Sequence, residues 1–480
     1  MDQKKLMRGC AIAMACLLVT VAGIYWIAGD AFRVRSSQSD MLSPQGTLQL
    51  GGMDGALEQP FSTKGDRLTG VTLYCGAQSP ESDGALLIEV YDDGALLASE
   101  TLSLSGRSSG ESVFVPFSAE LSKGKTFTLR VTPLNEGGAA ALLYYGDGVK
   151  AGRLQLSASL SDGERAVLNG TPMDGALCFQ IQTEQYLWFG RYYWALAAAL
   201  MVLAAAVSAR LLYANKAKKE DPLLGLLISF GNYRFLMKQL VIRDFKTKYK
   251  RSVLGVLWSF LNPLLTMSVQ YIVFSTLFRS NIPNFALYLM VGIVCFSFFS
   301  ESTGMTLTSI LNNASLITKV YMPKYVYPVT RVISSTINFL LALIPIFAVM
   351  VLTGAPFRPA ILLLPLPVAC LFALCLGIGM LLATSMVFFR DTFFLWNVVS
   401  MLWMYLTPVF YPETILPQRF QFVFQCNPLY HIIRFVRTIL MEGVSPDPMA
   451  YGMMLLTTLI PLCIGVCVFR WKQDEFALNL

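Results

Sequence analysis

The side chains that could do chemistry in this 480-residue chain gather in a few short stretches, and the usual catalytic sets are missing. His431 is the only histidine, so a histidine metal site or a catalytic triad has almost no material. The ten cysteines follow no metal-ligand spacing; Cys10, Cys16, Cys295, Cys370, Cys375, Cys463 and Cys467 sit in apolar runs, where a thiol serves as a small hydrophobe. Cys75 and Cys178 lie in a polar segment, and spacing leaves both a disulfide and two buried thiols open. No G-x-x-x-x-G-K-[ST] phosphate loop occurs, so any nucleotide energy source belongs to another chain.

The most unusual stretch is Arg243–Arg251, which crowds basic residues directly before the uncharged run Ser252–Phe278. Phe235, Ile242, Phe245 and Tyr249 recur at helical spacing, while Arg243, Lys246, Thr247 and Lys250 share another face. Lys/Arg opposite aromatics describes a helix lying in the membrane interface. An ordinary cytoplasmic flank of a span is the alternative. Glu301 follows 21 uncharged residues; it is either a membrane-level functional acid or part of a polar turn. Arg390 and Asp391 at the end of another apolar run form a fixing ion pair, or Arg390 simply marks the cytoplasmic side. Thr392–Tyr411 carries Trp403, Tyr405 and Tyr411 among its aromatics, which serve as sugar-stacking faces or as ordinary core and belt residues. Asn427-Pro428 splits Gln418–Arg437, too polar to span, into two half-helices, with Arg434 in the second.

The elements that position these residues are membrane spans. The chain is 55% hydrophobic and 14% charged, against about 25% charged in soluble proteins. Eight uncharged runs of membrane length are expected to span: Gly9–Ala28, Tyr192–Ala209, Ser252–Phe278, Ser280–Ser300, Val332–Phe357, Pro359–Phe389, Thr392–Pro412 and Pro448–Phe469. The first reads as a retained anchor rather than a cleaved signal, because no small-residue cleavage site follows. Between the first two runs lies a Gly/Ser/Asp-rich segment of short alternating stretches, punctuated by Asp93-Gly94, Asp147-Gly148, Asp162-Gly163 and Asp174-Gly175. It predicts an antiparallel β-sandwich. Residues 30–186 hold 19 acids and 11 bases, whereas Arg210–Arg251 holds 11 bases and three acids. Basic loops face the cytoplasm, so the sandwich is expected outside and both termini inside. The expected boundaries are an anchor over 1–29, the sandwich over 30–186, a second span over 187–213, a linker over 214–229, the interface helix over 230–251 and six spans over 252–480. In the sandwich, no tryptophan occurs between Trp26 and Trp188, leaving Tyr144 and Tyr145 for glycan contact; a domain that merely caps or spaces the complex is equally open.

"IRDFKTKYKRSVLGVLWSFLNPLL" resembles the opening of the permease subunit of type-2 ABC exporters, in the branch that exports O-antigen, teichoic acid and capsule polysaccharides. The matching residues are Arg243, Asp244, Lys246, Tyr249, Ser252, Leu254, Gly255, Trp258 and Pro263. "NNASLITKVYMPKYVYP", "VFFRD", "LTPVFYPETILP" and "NPLYHIIRFVR" follow in the family's order, over about Gly225–Leu480. The resemblance implies six permease helices, two permease copies and two copies of a separate ATPase that holds ATP and Mg. By its position "LNNASLITKVYMPKY" fits the element that contacts that ATPase: Asn312, Asn313 and Ser315 can cap a short helix, Pro323 and Pro328 bound it, and Lys319, Tyr321, Pro323 and Lys324 are the expected contacts; a plain connecting loop is the alternative. The resemblance implies that Trp403, Tyr405, Tyr411, Asn427, Pro428 and Arg434, with Glu301, serve the translocation path and an exit gate. The expected activity is therefore export of a lipid-linked polysaccharide across the bacterial cytoplasmic membrane, with no cofactor in this chain and no nucleic-acid partner. Export of a drug or peptide, or a membrane-anchored glycan sensor without transport, are the rival readings.

Overall fold

The computed structural model describes residues 3–39, 45–50, 55–63, 65–77, 84–105, 111–122, 125–134, 139–144, 165–173, 175–217, 221–250, 252–278, 284–317, 322–413 and 421–479. The chain divides into two compact units, residues 32–192 and residues 1–31 with 193–480.

The first unit is a β-sandwich of one seven-stranded and one six-stranded sheet, with antiparallel pairings. Alternation along each strand builds it. In Ala85–Asp92 the buried residues are Leu86, Ile88 and Val90, and in Glu111–Glu120 they are Val113, Val115, Phe117 and Ala119. Leu86, Ile88 and Val90 share the six-stranded sheet with Leu57, Phe127, Leu129 and Val131, and the Glu111–Glu120 residues meet them from the facing seven-stranded sheet in a single core. Asp93 and Gly94 both take positive φ, 46° and 84°, and close the hairpin between Ala85–Asp92 and Ala95–Ser103. Asn169-Gly170 forms a second such turn, at φ 49° and 82°. The other Asp-Gly pairs and Tyr145 lie wholly or partly outside the described residues. Cys178 is buried and unbridged, and burial pushes its thiol up to about 11.

The second unit is helical. Its long helices are α1 (Gln3–Arg33), α2 (Trp188–Ala217), α3 (Pro222–Tyr249), α4 (Trp258–Phe278) and α5 (Phe285–Leu307). A single turn, α6 (Ala314–Ile317), precedes α7 (Val326–Thr353), α8 (Pro365–Phe388) and α9 (Thr392–Leu406). Then come α10 (Gln421–Cys426), α11 (Pro428–Arg437), α12 (Pro448–Lys472) and α13 (Phe476–Asn479). Seven helices among the described residues are long and apolar enough to cross a membrane, one fewer than the eight runs expected. The missing one is Thr392–Pro412: α9 stops at Leu406, where Thr407 turns extended ahead of Pro408. Its 15 residues cover about 22 Å, short of the ~30 Å hydrocarbon thickness.

α8 and α12 pack closely because Gly377 and Gly465 face each other. A Cβ at Gly377 would sit 2.5 Å from the Leu462 Cα, and one at Gly465 would run into the Gly377 carbonyl. Such small-residue contacts replace the hydrophobic drive that lipid cannot supply. The expected linker over 214–229 is much shorter. α2 continues to Ala217 and α3 already starts at Pro222, since Asp221 accepts from the Leu224 amide at 3.4 Å and proline suits the first helical position.

Candidate functional site

The basic helix α3 turns a different face to the protein than its aromatic spacing suggests. Met237, Leu240 and Val241 are buried, whereas Phe235 is 72% exposed. At 3.6 residues per turn Phe235 lies roughly 160° around from Met237. The inward stripe is thus Met237–Leu240–Val241–Asp244, and the expected Phe235–Ile242–Phe245–Tyr249 stripe lies on its flank. Phe245 and Tyr249 are half-buried, with their rings 5.0 Å apart, and Lys246 and Lys250 are exposed. Arg251 lies outside the described residues.

That rotation carries Asp244 inward and brings the exposed Lys248 alongside α5. The Asp244 side chain is 6% exposed and accepts from Arg331 of α7 at 2.7 Å. Its neighbour Arg243 approaches the other oxygen at 3.3 Å. One turn on, Lys248 pairs with Glu301 of α5 at 2.7 Å. Asn338 of α7 donates to the same Glu301 oxygen at 2.9 Å, and the Tyr249 hydroxyl donates to Asn338 at 3.1 Å. Tyr249 also hydrogen-bonds Ser259 of α4. One polar seam therefore ties the basic helix to α4, α5 and α7. It borders a cavity of about 310 Å³ lined by Lys248, Tyr249, Trp258, Asn262, Glu301 and Asn338, among others. Glu301 lies within α5 rather than in a turn, and it both pairs with Lys248 and lines this cavity. Arg331 is the residue sequence reasoning missed: it sits at the border of the uncharged run Val332–Phe357 and reads as a flank.

The loop between α5 and α7 begins with the turn Leu311–Asn313 and α6. Asn312 and Asn313 do not cap it as expected. They bond backward, Asn313 to the Ser309 carbonyl at 2.8 Å and Asn312 to the Thr308 hydroxyl at 3.1 Å, closing the end of α5. Lys319 and Tyr321 lie outside the described residues. Pro323 precedes the turn into α7, and Pro328 falls in the first turn of α7, where proline is tolerated. Lys324 donates to the Gln473 carbonyl at 2.5 Å and lies 5.9 Å from the Phe476 ring, fixing the loop to the C-terminal turn. Arg390 and Asp391 are both exposed and form no ion pair with each other. Instead the Asp391 carbonyl starts α9, accepting from Phe394 and Leu395 at 3.0 and 3.1 Å.

A second polar cluster forms around the break after α9. Asn427 caps α11 by accepting from the Leu429 amide at 3.1 Å, with Pro428 in the first helical position. It also accepts from the Trp403 indole at 2.9 Å and donates to Thr407 at 2.8 Å. The Tyr411 hydroxyl donates to the Tyr405 carbonyl at 2.7 Å. Arg434 donates to Tyr430 at 3.0 Å, and Tyr430 to Glu413 at 2.8 Å. Arg437, which the sequence reading passed over, is 7% exposed. Its guanidinium donates to the carbonyls of Pro408, Val409 and Tyr288 at 2.8, 3.1 and 3.2 Å and stacks 3.4 Å over the Tyr288 ring. Carbonyls that the α9 break leaves without helical partners thus receive their donors from a buried arginine. The expected half-helices are α10 and α11. Trp403, Asn427 and Pro428 come together, as do Tyr405 with Tyr411 and Arg434 with Tyr430. Glu301 belongs to the other cluster, 13 residues along α5 from Tyr288, which is about 20 Å.

A family model described as ABC-2 type transporter matches residues 236–441, the stretch that contains both clusters. The O-antigen export system permease protein RfbA of Klebsiella pneumoniae is 31% identical over 252 residues, 51% of this chain and 96% of the relative. The protein of that name from Myxococcus xanthus is 30% identical over 261 residues, 54% of this chain and 100% of the relative. The polysialic acid transport protein KpsM of Escherichia coli is 22% identical over 252 residues, 51% of this chain and 96% of the relative.

Proposed function

The chain belongs to the ABC-2 type transporter family, and we propose that it is the permease subunit of an ATP-driven exporter carrying a lipid-linked polysaccharide outward across the bacterial cytoplasmic membrane. The polysaccharide class rests on relatives named for O-antigen export and polysialic acid transport. In this reading hydrolysis belongs to a partner ATPase, two copies of it beside two copies of this chain, which agrees with the lack of a phosphate loop in the sequence. The basic residues of 210–251 face the cytoplasm with both termini, and the acidic sandwich faces outward; this topology requires α9 and the residues after it together to carry the chain back to the outer face as an eighth crossing.

The observation that carries the coupling half of this reading is the polar seam. A helix that meets a cytoplasmic ATPase must pass its displacement to the spans, and a chain of polar contacts between rigid helices does so. Asp244–Arg331, Lys248–Glu301 and Tyr249–Asn338 join α3 to α5 and α7, which flank the loop bearing Lys319, Tyr321, Pro323 and Lys324. At the far end of α5, Tyr288 contacts Arg437 and the α9 break. In this mechanism ATPase closure pushes α3 and the loop, α5 and α7 follow, and the α10–α11 hairpin yields at the outer face.

The test is genetic and chemical. Deleting the gene should leave the lipid-linked glycan inside the cell, inaccessible to an added lectin, and restoring it should return the glycan to the surface. Surface glycan unchanged by deletion overturns the substrate assignment.

A further inference from the structure

The N-terminal helices do more than carry the sandwich. The C-terminal end of α2 and the start of α3 form one side of a groove whose other side is α7, α8 and α12, with a volume of about 1380 Å³. That exceeds the ~300–1,000 Å³ of ordinary small-molecule pockets. Ala214, Asp221 and Leu224 belong to its wall, and they lie outside the matched family stretch 236–441.

The groove is amphipathic along its length. Ile228, Ile333, Phe372, Leu376, Met380 and Val466 supply an apolar floor. Lys324, Arg470 and Asp474 cluster at the end where the Phe388 end of α8 meets the C-terminal turn. Along α8, Met380 and Phe372 stand about 12 and 24 Å from Phe388 at 1.5 Å per residue, so the apolar floor runs the ~15 Å depth of one leaflet and beyond. Asp221 is neutralised by Arg210 at 2.8 Å. Arg470 is exposed and forms no ion pair among the described residues. Lys324 spends one donor on Gln473 and keeps two. Two cations and one acid at the polar end leave one net positive charge beside a leaflet-deep apolar trough. A water-soluble protein segment has no use for a trough at that depth, whereas a basic pocket between spans at the cytoplasmic side suits a lipid headgroup.

We propose that this groove binds one membrane glycerophospholipid, its phosphate against Lys324 and Arg470 and its acyl chains along α8, bridging the N-terminal helices to the permease helices. Native mass spectrometry of the full chain, extracted in mild detergent, tests it. The wild type should hold one phospholipid at collision energies that strip the rest. Ile333→Trp with Leu376→Trp, which fill the floor, should lose it. Arg470→Glu, a surface change that leaves the fold intact, should lose it as well. Retention of the phospholipid in both variants overturns the proposal, and so does a retained mass that is a polyprenyl phosphate rather than a glycerophospholipid.

Discussion

The contact between Asp244 and Arg331 can be removed from either side, and the two sides should not cost the same. Asp244 is 6% and Arg331 15% exposed at 2.7 Å, and breaking a buried pair from one side costs about 3–5 kcal/mol because a charge is stranded. In Asp244→Asn the stranded group is Arg331, with Arg243 also losing its anion, so the loss should fall near the lower bound, about 3 kcal/mol. In Arg331→Met the carboxylate keeps Arg243 at 3.3 Å, but that partner is 51% exposed, so the compensation is only about 0–1 kcal/mol. The acid, the more deeply buried of the two, then makes Arg331→Met the worse substitution, by about 1 kcal/mol. The double variant strands nothing except Arg243, which reaches solvent, and should be better than the sum of the singles by at least ~1–3 kcal/mol. Denaturant unfolding of the detergent-solubilised protein, followed by tryptophan fluorescence, reads the cycle. Additivity within about 0.5 kcal/mol would mean that the two side chains do not act as a pair, and the seam would lose its main strut.

Three further outcomes follow from the same geometry. Leu240→Ala, on the inward face of α3, should cost about 2–4 kcal/mol, while Phe235→Ala should stay within ~0.5 kcal/mol; unfolding midpoints separate the two. Trp403→Phe removes the indole donor to Asn427 and leaves a buried acceptor short, for about 1–3 kcal/mol, and glycan export should fall with it in a surface-lectin assay. Cys178, its thiol pushed up to about 11 by burial, should resist alkylation in the folded protein at pH 9 but react once unfolded, as mass shift after iodoacetamide reports. Because the folded state keeps that proton longer, the sandwich should also lose stability as pH rises from 9 towards 11.

Much of this was legible in residue patterns, for reasons that differ by element. The strands of the sandwich announce themselves because one face of each is buried, so Phe127, Leu129 and Val131 alternate with Thr128, Arg130 and Thr132. Asn169-Gly170 was equally legible as a hairpin turn and went unread beside the Asp-Gly pairs. The long apolar runs mark spans by length alone, but length cannot register that Thr407-Pro408 ends α9 early. The rotation of α3 was hidden because aromatics at helical spacing imitate a buried stripe. Instead Asp244 faces inward and the exposed Lys248 reaches Glu301, their partners lying 87 and 53 residues away in sequence. The buried role of Arg437 was hidden in the same way: within "NPLYHIIRFVR" it reads as a polar flank, and only the fold shows the carbonyls it serves.

The claim that α3 passes ATPase motion to the spans through the seam is tested most directly by counting glycan delivered per ATP hydrolysed. The chain and its ATPase would be reconstituted in vesicles loaded with lipid-linked glycan, and lectin-accessible glycan and released phosphate followed together for the wild type and for Asp244→Asn. The account predicts that hydrolysis persists in the variant while glycan delivered per ATP falls. An unchanged ratio in a folded, assembled variant would contradict it.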